Sequence, residues 1–296
     1  MQRGEKMSDM LSGLESLGLG GMGKMDIFED AAKIAQQEKE AARKSAIDAA
    51  QQALLDEKAC LLDKTQKCRI CDFEFKTKSV KTSKAKLVSQ DIDLRPRYKE
   101  IDSVKYGVIA CPVCGYAALQ KNFEVLTSGQ AALIKEKISS FFTGLPEPGE
   151  TYTYDDAIQR HKLALVNAVV KRGKTSERAY LCLILAWLLR SKREEVEALA
   201  PDDVEKQSDA LKAEEYDFLN KALEGFNQAY SKENFPLYVL DEQTSTYLIA
   251  ALNLEVGNKE EAMRWAGKII FNQNAPDRIK EKARNIKEIA EGKQSL

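Results

Sequence analysis

The chain has 296 residues, 44% of them apolar, enough for about two ordinary domains with a packed core, which excludes a disordered polyelectrolyte. Its 45 basic and 46 acidic side chains nearly cancel, so no global field draws it to nucleic acid or to an anionic membrane. The longest apolar run, AYLCLILAWLL at 179–189, covers about half the roughly 20 residues that a bilayer-spanning helix needs and reads as a buried helix.

Residues 1–26 are rich in Gly and Met. Leu11, Leu14 and Leu17 allow a short amphipathic turn or two in an otherwise mobile segment. GLGGMG fits the dinucleotide fingerprint through Gly18, Gly20 and Gly23, but no buried strand precedes it, so a flexible linker is expected. The N-terminal stretch lacks the continuous apolar core of a secretory signal, which leads us to expect a cytoplasmic, reducing setting. From 27 to 63 the absence of Gly and Pro and the wealth of Ala, Glu, Lys and Gln predict a long helix. Its apolar positions Ile27, Ile34 and Ala41, then Ile47, Leu54 and Leu61, step by seven. Packing against the chain's own helices is expected, with a short coiled-coil contact as the alternative.

The texture then changes. FEFKTKSV, KAKLVS and VKYGVIA alternate as short strands do, and QDIDLRPRYKEID reads as a polar surface loop. A helix is expected around 126–142, followed by a break at TGLPEPGE. Thr153, with Asp156 three residues on, opens a run of helices at about 154–171, 175–200, 204–231, 243–256, 259–271 and 276–291.

Two cysteine pairs carry the chemistry. Cys68-x2-Cys71 and Cys111-x2-Cys114 offer four thiolates, the donor set of a closed, tetrahedral structural Zn(II) site, one ion per chain. A thiol redox pair and an iron–sulfur cluster are the rival readings. The 39 residues between the pairs exceed the usual span, a weak objection because closure entropy grows only logarithmically with loop length. Gly115 suits the left-handed backbone of a knuckle, and the first knuckle has Asp72 in its place. Cys60 and Cys182 read as buried free thiols. His161, the only histidine, is expected on a helix and partly exposed, and it leaves no material for a His-dependent triad. No Walker loop, HExxH or GxSxG is present, so the chain reads as a non-enzyme.

Residues 60–107 carry 12 Lys or Arg against 7 Asp or Glu. Lys78, Lys81 and Lys84 form the candidate nucleic-acid contacts, with a solvated strand face as the plainer reading. Asp91, Asp93, Arg95, Arg97 and Tyr98 concentrate opposite charges beside a proline. An internal salt-bridge network comes first there, and a partner-recognition loop second. Farther on, Ala222, Phe226 and Ala229 fit the second-helix pattern of a tetratricopeptide repeat, and Ala250, Gly257 and Ala262 give a partial second match with Trp265 one position from the usual aromatic.

The succession CRICDFEFKTKSVKTSK, DIDLRPRYKEID, YGVIACPVCGYAAL resembles a bacterial family of uncharacterised proteins, domain of unknown function 2225, over roughly residues 60–296. The resemblance implies a zinc-ribbon-like module ligated by Cys68, Cys71, Cys111 and Cys114 and tetratricopeptide-like C-terminal helices, and it implies no activity. In that family the first pair usually has Pro after its first cysteine and Gly after its last, where this chain has Arg69 and Asp72. The expected fold is therefore mainly α with a small β zinc-ribbon-like module. In chain order it comprises a flexible segment at 1–26, a long helix at 27–63, the four-cysteine module at 64–119, a helix and linker at 120–151, and a tetratricopeptide-like helical domain at 152–296. The expected function is a cytoplasmic zinc protein that binds an unidentified protein or peptide through this scaffold, away from membranes. The alternative is a nucleic-acid-binding ribbon.

Overall fold

A computed structural model describes residues 31–293. The glycine motif and the Leu11–Leu14–Leu17 spacing lie outside the described residues. Residues 31–48 belong to one compact unit and 49–293 to a second.

Helix α1 (Ala31–Ala59) carries the Ala, Glu, Lys and Gln of the long-helix expectation but stops four residues short of its predicted end. Cys60 is buried, and Leu61–Lys67 forms strand β1, paired antiparallel with β2 (Glu74–Val80). LLDKTQK has no strand-like local preference. The first cysteine pair reverses the chain after it, and pairing with β2 then overrides propensity. Ile47, Leu54 and Leu55 of α1 are exposed, and Glu57 near its end is buried.

A second hairpin, β3 (Leu87–Gln90) with β4 (Pro96–Tyr98), occupies what reads locally as a loop. Pro96 is tolerated because it begins its strand, where no ladder donor is needed. The VKYGVIA segment divides into a 3-10 turn at Ser103–Tyr106 and strand β5 (Val108–Ala110), which pairs with β6 (Ala117–Leu119). Among the described residues the strands thus form three separate two-stranded antiparallel ladders.

Strand alternation gives the β5–β6 hairpin two buried faces. Val108, Leu119 and Ala117 join the large core built on the helices, while Ile109 and Ala118 face the cysteine-centred core with Ile70, Phe75, Tyr116 and Phe123. One ribbon therefore serves two interiors.

Helix α2 (Ser128–Ile134) runs into a π turn at Lys135–Ser139. Beyond the Pro/Gly break come α3 (Tyr154–Val170), α4 (Thr175–Leu199), α5 (Val204–Lys232), α6 (Glu242–Glu255), α7 (Lys259–Ile270) and α8 (Asp277–Ala290), each within about two residues of its expected bounds. The capping box at Thr153 forms as its spacing predicts, with the Asp156 amide on the Thr153 hydroxyl and the Thr153 amide on the Asp156 carboxylate. Each helix packs on its neighbours in sequence, α3 on α4, α4 on α5, α5 on α6, α6 on α7 and α7 on α8. The apolar run at 179–189 is buried along α4, and α6 is buried from Ser245 to Leu254. Gly225 lets α5 approach α4 closely, since a Cβ there would stand 2.7 Å from that of Ala179. Among the described residues no helix is long and apolar enough to cross a membrane.

Candidate metal centre

Each cysteine pair closes the tip of a hairpin, Cys68 and Cys71 between β1 and β2, Cys111 and Cys114 between β5 and β6. The two tips have the same backbone pattern. The Cys68 amide donates to the Phe73 carbonyl at 2.9 Å, and the Asp72 amide donates to the Cys68 carbonyl at 3.1 Å. In the second tip the Cys111 amide donates to Tyr116 at 2.8 Å, and the Gly115 amide donates to Cys111 at 3.2 Å. Both turns need a left-handed residue four places after the first cysteine, Gly115 at φ 71° and Asp72 at φ 61°. Asp72 therefore adopts the knuckle geometry that its residue type tolerates less readily than glycine does. Gly115 is required on a second ground, because a Cβ there would lie 2.7 Å from the Phe142 ring.

The fold brings the two tips together. The four sulfurs lie within 4.8 Å of one another, with Cys68 to Cys114 at 3.4 Å and Cys71 to Cys111 at 3.7 Å. Zinc–sulfur bonds of about 2.3 Å at tetrahedral angles place sulfurs roughly 3.8 Å apart, so the set is sized for one such ion. Cys68, Cys111 and Cys114 are buried and Cys71 is half-buried. The Ile70 amide donates to the Cys68 sulfur at 3.4 Å, and the buried Asn167 of α3 donates to the Gly115 carbonyl at 2.9 Å, tying the second tip to a rigid helix. Tyr116 stacks on Phe123 and donates to its carbonyl, walling the site on one side.

The thiols are electrostatically coupled. Hydrogen bonds from Cys114 and Cys68 pull the Cys111 thiol down to about 4, and the neighbouring Cys111 and Cys68 sulfurs drive the Cys114 thiol far above the thiol range. Full ionisation of four sulfurs at this spacing requires a cation among them. The four cysteines are thus positioned to hold a metal ion.

The candidate phosphate-binding lysines have partners within the protein. Lys78 pairs with Asp63 at 2.9 Å, Lys81 donates to the Ala59 carbonyl at 2.8 Å, and Lys84 pairs with Glu100 at 3.0 Å. The DIDLRPRY residues are brought together against α4. Arg95 is buried and donates to Asp91, to Ser191 and to Glu194, while Arg97 bridges Asp91 and Glu194. Asp93 is fully buried, accepts from the Trp187 indole at 3.0 Å and faces Arg190 at 3.1 Å. Tyr98 lies on β4, half-buried, beside Tyr180, Trp187 and Tyr238. Burial pushes the Asp91 carboxyl up, but the hydrogen bonds from Arg97 and Arg95 outweigh it and hold Asp91 below its ordinary value. Arg190 and Glu194, four residues apart on α4, complete this network. Their only trace in the sequence is the point where the apolar run gives way to charge.

Cys60 and Cys182 are buried free thiols, as read. Cys60 contacts Glu100 and takes no part in the sulfur cluster. His161 corrects its expectation. It is fully buried, its Nδ1 hydrogen-bonded to the Ala157 carbonyl at 2.7 Å and its Nε2 without a partner. Burial lowers its pKa to about 4, which keeps the ring neutral. The signal was present, since position 161 continues the buried Ala157–Ala164–Ala168 stripe of α3.

A family model described as "Uncharacterized protein conserved in bacteria (DUF2225)" matches residues 61–290. No curated protein and no solved structure matches the chain. With more than three quarters of its length matched, the chain belongs to that bacterial family.

Proposed function

We propose that this family member is a cytoplasmic zinc protein in which the metal is structural and the helices bind another protein. The observation that carries the zinc reading is the pair of equivalent hairpin tips that bring four sulfurs within 4.8 Å of one another. Cys68, Cys71, Cys111 and Cys114 would fill every position of a four-coordinate ion, which then cross-links two hairpins 39 residues apart in sequence and presents no open site for chemistry. All-sulfur donors favour zinc over magnesium or calcium, and loading would displace the thiol protons because the thiolate is the ligand.

The partner-binding half of the reading rests on the helical region. Ala222, Phe226 and Ala229 on α5, and Ala250 and Ala262 on α6 and α7, are all fully buried at helix–helix contacts, where tetratricopeptide-like packing places small residues and an aromatic. Consecutive packed helices of this kind form surfaces suited to a peptide or protein. The internal pairing of Lys78, Lys81 and Lys84 argues against phosphate as the ligand.

Elemental analysis of protein expressed without added metal tests the first half. About one zinc per chain, lost in Cys68→Ser and Cys114→Ser, supports it, and iron or no metal overturns it. Crosslinking in cells followed by reconstitution from purified components tests the second half. Failure to reconstitute any complex, together with turnover of a small molecule by the purified chain, would overturn it.

A further inference from the structure

Away from the sulfurs, two cavities meet at Lys121 and Tyr238, which line both. The first, of about 390 Å³, is aromatic, bordered by Tyr98 of β4, Tyr180 and Trp187 of α4, and Tyr238. The Tyr180 ring centre lies 4.9 Å from that of Tyr238 and 6.4 Å from that of Trp187. The Trp187 indole is committed to Asp93. The hydroxyls of Tyr98, Tyr180 and Tyr238 enter no hydrogen bond among the described residues, and none of the three is sealed from solvent. Tyr238 presents its ring from a left-handed backbone, φ 58°, that a tyrosine rarely adopts. Among the described residues no carboxylate lines this cavity, and its one charged group is Lys121, 5.9 Å from the centre of the Tyr238 ring.

The second cavity, of about 510 Å³, is cationic. Lys121, Arg172 and Lys174 are exposed on it and, unlike Lys78 and Lys84, have no acidic partner among the described residues. Its one lining carboxylate, Glu177, is already engaged by Lys171 at 2.7 Å and by Asn122 at 2.8 Å. A cationic guest would meet no counter-charge in the aromatic half and would be repelled by Lys121. An uncharged apolar guest would leave the three cations unused. A planar ring that carries phosphate matches both halves, stacking on the aromatic side chains and accepting from the cations.

We infer that the joined cavities bind a nucleotide, its base lying against Tyr98, Tyr180 and Tyr238 and its phosphates accepting from Lys121, Arg172 and Lys174. A free nucleotide and the end of a single-stranded RNA present this same chemistry. The site stands apart from the metal and partner readings, because it shares no residue with the sulfur cluster.

The test titrates the full chain by calorimetry at low salt with ADP, GDP, CDP and UDP, with the matching nucleosides and pyrophosphate as the separate halves, and with a 5′-phosphorylated RNA hexamer of mixed sequence. Saturable binding of at least one diphosphate is expected, about tenfold tighter than either half alone and weakening as salt rises. Lys121→Gln and Arg172→Gln, at exposed positions that do not threaten folding, should each weaken it about fivefold. Tyr98→Leu should weaken it about tenfold by removing a stacking face. A hexamer that binds more tightly than every diphosphate assigns the site to single-stranded RNA, and one that binds no better assigns it to free nucleotides. No saturable binding of any diphosphate or of the hexamer, pyrophosphate binding as tightly as the nucleotides, or unchanged affinity in all three variants would overturn the inference.

Discussion

Around the four sulfurs the buried apolar set is small, chiefly Ile70, Phe75, Ile109, Tyr116, Phe123, Ile134 and Ile138, whereas α4 and α6 alone bury more large side chains than that in the helical core. β1 exposes most of its residues and β2 buries only Phe75 and Thr77 fully, so the hairpin leans on the tip that joins them. The helices close their interior by burying apolar area, a term that scales with surface and needs no cofactor. The first hairpin has little such area, and a metal ion held by the four sulfurs would supply a cross-link there. The β5–β6 hairpin stands between the two regimes, held on one face by the helical core and on the other by the cysteines.

The largest break in this comparison is removal of the metal proposed for the four cysteines. Chelation, or Cys111→Ser, should withdraw on the order of 10 kcal/mol of apparent folding energy from the ribbon. Hydrogen exchange should then show protection lost across 61–80, partly retained at 108–119 and intact at 179–189 and 245–254. Equal loss everywhere would mean that the two interiors are one cooperative unit. The converse break is Phe226→Ala, a fully buried aromatic on α5. Denaturant unfolding should show a cost of about 3–5 kcal/mol, with metal still bound until the transition.

Acid separates the two regions by another route. His161 titrates near 4 in the folded chain and near its ordinary 6.5 when unfolded. The unfolded state therefore takes up the proton first, and the contribution of His161 to stability, complete above 6.5, falls as pH drops through 6.5 towards 4, by about 3 kcal/mol in all. Glu255 has the opposite sign. Its carboxyl is raised to about 7, so between its ordinary value and 7 it favours the folded state less as pH rises. Subtracting the pH profile of His161→Gln from that of the wild type isolates the histidine, and a flat difference between 6.5 and 4 would remove this account.

The smallest effect compares the two tips directly. Gly115→Ala should cost about 1–2 kcal/mol for the left-handed backbone, and more for the Phe142 contact, measured as a lowered melting temperature of the loaded protein. Asp72→Gly should stabilise by up to about 1 kcal/mol, since it relieves the same backbone strain and loses only the exposed Lys67 pair. Equal responses of the two tips would show that the shared hydrogen-bond pattern does not govern their strain.

Much of this protein is decided within a few residues. Pro201, Pro276, Gly173 and Gly257 punctuate long runs of helix-favouring residues, so α3 to α8 were legible almost to their ends. The cysteine spacing was legible too, because a CxxC turn is a local geometry. The tertiary structure decided what requires residues far apart in the chain. LLDKTQK is a strand only because β2 returns beside it, Pro96–Tyr98 only because β3 does, and Val108 and Ile109 serve different cores only because helices lie on one side and sulfurs on the other. Arg95 and Asp93 are buried because Glu194, Trp187 and Arg190 meet them from α4, more than 90 residues away. Local propensity is a property of a few neighbouring dihedrals, but burying a charge is favourable only when its partner is delivered from elsewhere in the chain.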